Sequence, residues 1–109
     1  MPGARMNTSG AASRPSATTT DTLYDGAVML RQPARGYRVN VDALLLASFA
    51  AHGRRADLAL DLGAGVGSVA LGLHHLGAAA RFALVEREAP LIALADENAR
   101  SAGLNSQSF

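Results

Sequence analysis

The sequence predicts an α/β fold, as the N-terminal portion of a doubly wound parallel sheet with a short hairpin in front of it. Two short apolar segments, 58–62 and 82–85, are typical of strands buried on both faces of a parallel sheet. Between them the apolar spacing predicts a helix over 68–76, and a second helix is predicted over about 90–103, with Pro in its first turn and Gly at its end. A glycine-rich turn joins the first strand to the first helix, so the order is that of a right-handed βαβα unit.

Composition sets the outer limits. The chain has 109 residues, 49% of them hydrophobic and 17% charged, which excludes a wholly disordered protein and fits one small domain or part of a larger one. It contains no cysteine, which excludes disulfides and thiolate metal sites and favours a reducing compartment such as the cytoplasm. No apolar run approaches the about 20 residues that a membrane-spanning helix needs, so no membrane partner is expected.

The first 22 residues are predicted to form a disordered extension. They are rich in Ser, Thr and Ala, and their apolar residues follow neither helical nor strand periodicity, so they have no face to bury. The ordered domain is expected to span residues 23–109. A unit with two parallel strands is not a stable sheet by itself, and the chain is expected to stop where a third strand would begin. The sequence therefore predicts a truncated domain.

A hairpin and a helix are predicted ahead of the sheet. Residues 26–32 are expected to form a strand that ends at a proline, and residues 37–39 are expected to return as its partner. The next helix is predicted to run to about Ala51, with Asn40 or Asp42 as its N-cap.

The candidate ligand site is the segment Asp61-Leu-Gly-Ala-Gly-Val-Gly67, together with Glu86. Glycines at the carboxyl end of a parallel strand let the backbone turn sharply and approach a ligand, and the start of the following helix favours an anionic group. Glu86 ends the next strand, where an acid accepts hydrogen bonds from ribose hydroxyls. The pattern indicates a pocket for a nucleoside that carries an acidic group.

The spacing bears on which nucleoside this is. A dinucleotide fingerprint would have glycine at position 68, where this chain has Ser68, and Asp61 would repel a pyrophosphate. Asp61 suits a ligand with both an ammonium and a carboxylate, such as the methionine part of S-adenosylmethionine. A phosphate-binding P-loop is excluded because the sequence has no lysine.

Segment 61–67 followed by Val85-Glu86 resembles the first two motifs of class I S-adenosylmethionine-dependent methyltransferases. Upstream, residues 31–46, which include Arg38-Val39 and Asp42, resemble a segment of bacterial tRNA (adenine-N6)-methyltransferases that act beside the valine anticodon. The resemblance covers about residues 23–104. It implies a Rossmann-like methyltransferase fold, S-adenosyl-L-methionine as the cofactor, tRNA or another RNA as the partner, and no metal.

The resemblance also implies roles for individual residues. Asp61 would hold the amino group of the methionine part, and the backbone of the glycine turn would hold its carboxylate. Glu86 would bind the ribose, and Asp42 would line the methionine side of the pocket. The implied cofactor-binding residues are Asp42, Asp61, Gly63, Ala64, Gly65 and Glu86. These enzymes position the target amine with an Asn-Pro-Pro-Tyr segment, and no Asn-Pro occurs in this sequence. No catalytic residue is therefore assigned, and little turnover is expected from this chain alone.

Three alternatives remain open on the sequence. A methyltransferase for rRNA guanine or for protein glutamine would share the same front half. An NAD-dependent dehydrogenase and a non-catalytic nucleoside-binding fragment are the other two. Residues 26–56 carry five arginines against Asp42 alone, which suits an RNA backbone but also an ordinary solvated surface. The adjacent pair His74-His75 lacks an evident third ligand and is expected to be solvated.

Overall fold

The computed structural model describes residues 17–109. Its helices and strands are, in chain order, β1 (Thr18–Leu23), β2 (Val28–Pro33), α1 (Val41–Ala51), β3 (Ala56–Leu62), α2 (Ser68–His75), β4 (Ala79–Val85), α3 (Ala89–Ala102) and β5 (Ser106–Ser108). Strands β1 and β2 form an antiparallel hairpin, and β3, β4 and β5 lie side by side in that order in a parallel sheet. The predicted α/β fold with an N-terminal hairpin is confirmed.

The sheet has one strand more than the sequence predicts. Ser106–Ser108 pairs in parallel with β4, where Phe82 lies opposite Ser106 and Leu84 opposite Ser108. The expectation that the chain stops before a third strand is therefore wrong. A Ser-Gln-Ser segment has no apolar alternation, so only its backbone pairing with β4 identifies it as a strand.

The hairpin is built from different segments than predicted. Its first strand is β1, which precedes β2, while residues 37–39 lie in a loop and do not pair as a strand. The threonines of β1 favour extended backbone because they are branched at Cβ. The turn is closed by Tyr24 and Asp25, both in the left-handed region with φ of 52° and 58°, and by a hydrogen bond from the Ala27 N–H to the Tyr24 carbonyl.

The predicted boundary of the disordered extension is also wrong in part. Residues 18–22 belong to β1 and are paired along its whole length with β2, so order begins before Leu23. The remainder of the predicted extension, residues 1–16, lies outside the described residues.

The ends of the helices follow the local sequence. Asn40 is the N-cap of α1, because its side-chain oxygen accepts a hydrogen bond from the backbone N–H of Asp42. Of the two candidates, Asn40 is therefore the cap. Pro90 lies in the first turn of α3, and Gly103 ends that helix in the left-handed conformation with φ of 76°, as predicted.

The core lies between the sheet, the helices α2 and α3, and the hairpin. Its largest fully buried side chains are Leu30, Val66, Leu71, Leu84 and Leu94. Right-handed crossovers place α2 and α3 on one face of the sheet, where Phe82 and Leu84 are buried. On the opposite face the side chains of Leu58, Leu60 and Leu62 are exposed. Among residues 17–109 no helix is both long and apolar enough to cross a membrane.

Helix α1 packs closely on α2 at Gly72. A Cβ at Gly72 would lie 2.8 Å from the Cβ of Ala47 and 2.5 Å from the Tyr24 hydroxyl. Because glycine has no side chain, α1 and the hairpin can approach α2 at this point. This packing places the loop that precedes α1 beside the start of α2.

Candidate functional site

The glycine turn, residues 63–67, and Glu86 meet at the carboxyl ends of β3 and β4. The backbone N–H groups of Gly63 and Ala64 donate to the Val85 carbonyl at 2.8 and 2.9 Å, which ties the turn to the end of β4. Gly63 and Gly65 both have positive φ, 73° and 58°, which side-chain-bearing residues rarely adopt. Ligands of open α/β sheets bind at this edge, so the predicted turn is in a position to bind one.

Glu86 closes the site from the side of β4. One of its carboxylate oxygens, Oε1, accepts a hydrogen bond from the Gly65 N–H at 2.9 Å, and the other, Oε2, accepts from the Glu88 N–H at 2.9 Å. The carboxylate thus lies beside the turn, as its position in the sequence suggests. Both oxygens hold backbone groups here, so the ribose-binding role stays a prediction.

Asp61 lies near the end of β3, with its carboxylate against the start of α2. It accepts a hydrogen bond from the backbone N–H of Ala70, while its Oδ2 atom is buried and has no hydrogen-bond partner among the described residues. Burial raises the pKa of Asp61, the Ala70 hydrogen bond offsets part of the rise, and the nearby Glu86 charge adds to it. A buried carboxylate oxygen without a donor suits a cationic ligand group.

Replacing Asp61 with Asn is expected to stabilise the fold at neutral pH. Asn keeps an oxygen for the Ala70 N–H and removes the negative charge, although its amide nitrogen takes the place of the unpartnered oxygen. Burial of an unpaired charge is unfavourable, and because Asp61 is only partly buried we expect its removal to stabilise the fold by about 1 kcal/mol, or about 4–8 °C in Tm. Thermal unfolding of the two proteins followed by circular dichroism measures the difference.

The pH dependence of that difference has a defined sign. Because the folded-state pKa of Asp61 lies above its ordinary value of 3.8, the fold disfavours the ionised form. The penalty is complete above the folded-state pKa and disappears as the pH falls below 3.8. The Tm advantage of Asp61→Asn should therefore be largest at neutral pH and shrink on acidification, whereas Asp57→Asn, at an exposed position of β3, should change Tm at neither pH. An advantage that does not vary with pH would contradict this account.

Tyr37, which the sequence predicts to be a half-buried tyrosine of the hairpin, instead lies in a loop at the candidate site. Its ring lies on Gly65, where an added Cβ would meet the Tyr37 hydroxyl at 2.6 Å, and its hydroxyl hydrogen-bonds with the side chain of Ser68. Burial raises the pKa of Tyr37, and the nearby charges of Asp61 and Glu86 raise it further. A tyrosine in a predicted hairpin carries no signal of such a contact, because only the packing of α1 brings its loop to the turn.

The loop that carries Tyr37, residues 34–40, is held by the hairpin through buried Gln32. The side-chain oxygen of Gln32 accepts from the Val39 N–H at 2.8 Å, and its amide group donates to Asp21 at 2.8 Å. Arg38 donates to the Pro33 carbonyl at 2.9 Å and forms an ion pair with Asp21. The hydrogen bond from Gln32, followed by that from Thr19, holds the pKa of Asp21 below its usual value. The segment that follows Tyr37 is thus anchored by the polar groups of β1 and β2.

Asn98 of α3 joins the hairpin to the glycine turn. Its side chain is buried, accepts from the Arg31 N–H at 2.8 Å, and donates to the carbonyls of Arg31 at 2.9 Å and Val66 at 2.8 Å. Both N–H groups of the side-chain amide therefore donate to backbone carbonyls. One side chain positions three segments that are far apart in sequence.

The remaining predicted cofactor residue is Asp42, whose role stays a prediction. Asp42 is exposed in the first turn of α1, and within residues 17–109 its side chain is not joined to the glycine turn by any hydrogen bond or ion pair. In the same part of the chain no group of three or more acidic or histidine side chains is placed to hold a metal ion. A cavity of about 580 Å³ lies elsewhere, between β2 and the two helices α2 and α3, and its lining includes Arg31, His74 and His75 but no predicted cofactor residue.

Comparison with known proteins shows the fold. Neither protein-family models nor curated proteins match the sequence. Among solved structures, 84% of this chain aligns with M. jannaschii TYW2 in complex with AdoMet, at a TM-score of 0.71 and 14% identity. It is also similar to an Agrobacterium tumefaciens SAM-dependent methyltransferase, at a TM-score of 0.61 and 22% identity over 84% of this chain. A third similar structure is a Methanobacterium thermoautotrophicum precorrin 8w decarboxylase, at a TM-score of 0.52 and 24% identity over 68% of this chain.

These structures share a Rossmann-like α/β fold, which is the fold that the sequence predicts. The chain spans less than half of each: 42% of TYW2, 31% of the Agrobacterium methyltransferase and 40% of the decarboxylase.

Proposed function

We propose that the chain binds S-adenosyl-L-methionine at the glycine turn and forms the cofactor-binding part of a methyltransferase that acts on an amino group, adenine N6 in tRNA. The observation that carries the proposal is the buried, unpartnered Oδ2 of Asp61 beside a glycine turn and Glu86. The shared fold supports it, since the TYW2 structure was determined with AdoMet.

The residues present fit this cofactor. Asp61 would accept hydrogen bonds from the methionine ammonium through the oxygen that lacks a donor. The backbone of Gly63, Ala64 and Gly65, at the positive start of α2, would face the carboxylate. Glu86 would exchange its backbone donors for ribose hydroxyls. The cofactor brings an activated methyl group, so the task of the protein is to orient it toward the amine and to exclude water.

An RNA substrate is supported by the position of basic side chains. Arg35 is exposed in the loop that carries Tyr37, and Arg87 follows Glu86 with its side chain 92% exposed. Guanidinium groups at the rim of the site would contact phosphates and position the nucleotide without reading its base. A tRNA substrate and a chain without cysteine both favour the cytoplasm. Since the sequence has no Asn-Pro segment to hold the amine, we expect the 109-residue chain to bind the cofactor with little turnover.

The test is calorimetric titration of the 109-residue chain with S-adenosylhomocysteine and, separately, with NAD. We expect S-adenosylhomocysteine to bind at least tenfold more tightly. Asp61→Asn should weaken this binding by about 10- to 150-fold although it raises Tm, because a hydrogen bond to a charged group is worth about 1.5–3 kcal/mol. NAD binding that equals or exceeds that of S-adenosylhomocysteine would favour the dehydrogenase alternative and overturn the proposal.

The alternatives that share this cofactor differ only in substrate. A methyltransferase for rRNA guanine or for protein glutamine would bind S-adenosylhomocysteine in the same way. To separate them, the chain is first saturated with S-adenosylhomocysteine, and its affinities for tRNA, for rRNA fragments and for a glutamine peptide are then compared. We expect tRNA to bind most tightly.

A further inference from the structure

We propose that Tyr37 is a gate of the cofactor pocket: its side chain lies against the glycine turn at Gly65, and the cofactor binds only when this side chain rotates away. The inference rests on the proposed function, because it concerns the same site. It adds a residue that controls access to the site.

The position of the hydroxyl carries the inference. The absence of a side chain at Gly65 leaves space on one side of the turn, and the Tyr37 hydroxyl and its ring carbon Cζ fill that space, at 2.6 and 2.9 Å from where a Cβ would be. The same hydroxyl is hydrogen-bonded with Ser68 at the first position of α2. A ligand that approached the backbone at Gly65 would meet the phenol ring first.

The groups around the hydroxyl are those that the cofactor needs. Asp61 and Glu86 both lie close enough to act on Tyr37 through their charges, and Glu86 is itself bonded to the Gly65 N–H. The tyrosine therefore stands among the proposed partners of the ammonium, the carboxylate and the ribose. In the proposed binding mode the cofactor and the tyrosine would compete for these contacts.

The backbone that follows Tyr37 is anchored to the hairpin, so the movement is assigned to the side chain of Tyr37. Val39 is held by Gln32, and Arg38 is held by Asp21 and the Pro33 carbonyl. Before Tyr37 the chain turns at Gly36, whose φ is 81°. Rotation about the side-chain bonds of Tyr37 opens the turn without breaking the Gln32 network. The closed state is held by one neutral hydrogen bond, which corresponds to about two- to tenfold in an equilibrium constant.

Two variants of Tyr37 test the gate by titration with S-adenosylhomocysteine. Tyr37→Phe keeps the ring and removes the bond with Ser68, and we expect about two- to tenfold tighter binding. Tyr37→Ala removes the obstruction, and we expect binding at least as tight as that of Tyr37→Phe. Tyr24→Phe is the matched control, because Tyr24 packs on Gly72 away from the turn, and it should bind within twofold of the unmodified chain.

A second readout follows the side chain directly. The chain has two tyrosines and no tryptophan, so in Tyr24→Phe all intrinsic fluorescence comes from Tyr37. Saturating S-adenosylhomocysteine should increase the quenching of this emission by acrylamide. Tyr37→Phe, in which only Tyr24 emits, corrects for absorption by the ligand and should show no such increase.

The outcomes separate the gate from the proposed function. If the unmodified chain binds S-adenosylhomocysteine more tightly than both Tyr37 variants, or if quenching of Tyr37 falls on binding, the tyrosine is a ligand contact and the gate is overturned alone. If neither the unmodified chain nor Tyr37→Ala binds, both proposals are overturned. Binding by Tyr37→Ala that exceeds that of the unmodified chain, with Tm maintained, supports both.

Discussion

Replacing Asn98 with Asp is expected to lower the free energy of unfolding by about 3–5 kcal/mol, because a buried network of three hydrogen bonds loses both of its side-chain donors. The carboxylate keeps an acceptor for the Arg31 N–H. It also places a charged oxygen against the carbonyls of Arg31 and Val66, which then have no donor. The free energy of unfolding of a small domain is about 5–15 kcal/mol in total, so this single change removes a large share of it.

Urea unfolding followed by circular dichroism measures this loss. Asn105→Asp is the matched control, since Asn105 is exposed in the segment between α3 and β5, and it should change the midpoint only slightly. Two further features are diagnostic of the network. The loss should be larger at pH 7 than at pH 4, where a buried carboxyl is more readily protonated. Equal stability of the two aspartate variants at pH 7 would show that Asn98 does not join the three segments in solution.

Replacing Glu86 with Ala is expected to weaken S-adenosylhomocysteine binding by about 10- to 150-fold. A hydrogen bond to a charged group contributes about 1.5–3 kcal/mol, and this loss of free energy corresponds to that fold-change. Two effects contribute. The ribose would lose its acceptor, and the Gly65 N–H would lose the bond that helps to hold the turn. Calorimetric titration measures the affinity, and Tm under the same conditions shows whether the fold is retained.

Glu88→Ala is the control for this measurement. Glu88 is the neighbouring acid, its side chain is exposed and pairs with Arg87, and its backbone N–H still donates to Glu86 after the substitution. The control should bind within twofold of the unmodified chain. If Glu86→Ala does the same, the assignment of ribose binding to Glu86 is wrong, whatever the cofactor.

The local sequence was enough for α2, β4 and α3 in the second half of the chain, although not for β5. A glycine turn after an apolar strand, a proline in the first helical turn and a glycine at Gly103 each act within a few residues, so α2, β4 and α3 lie close to where the pattern predicts them. The observed strand β4 begins at Ala79, before the predicted start at residue 82, because its first residues pair with the exposed end of β3. The sequence did not predict this extension, since these first residues have no apolar pattern.

The first half of the chain was harder to predict because its contacts are between distant segments. Threonine-rich β1 has no apolar face of its own and is ordered by pairing with β2 and by the bond between Gln32 and Asp21. Residues 37–39 are drawn away from strand pairing because the Val39 N–H bonds to the Gln32 side chain. No local sequence pattern shows whether a backbone N–H will donate to a neighbouring strand or to a side chain.

By itself the sequence determined the α/β order of elements and the chemical content of the candidate site: a glycine turn with Asp61 before it and Glu86 at the end of the next strand. These features depend on backbone freedom and on charge, both of which are properties of residue type. Only the tertiary structure decided that Tyr37 lies on Gly65 and that Gln32 and Asn98 hold the surrounding segments. Those arrangements depend on how α1 and the hairpin pack against α2 and α3, and packing joins residues whose separation along the chain carries no signal of their contact.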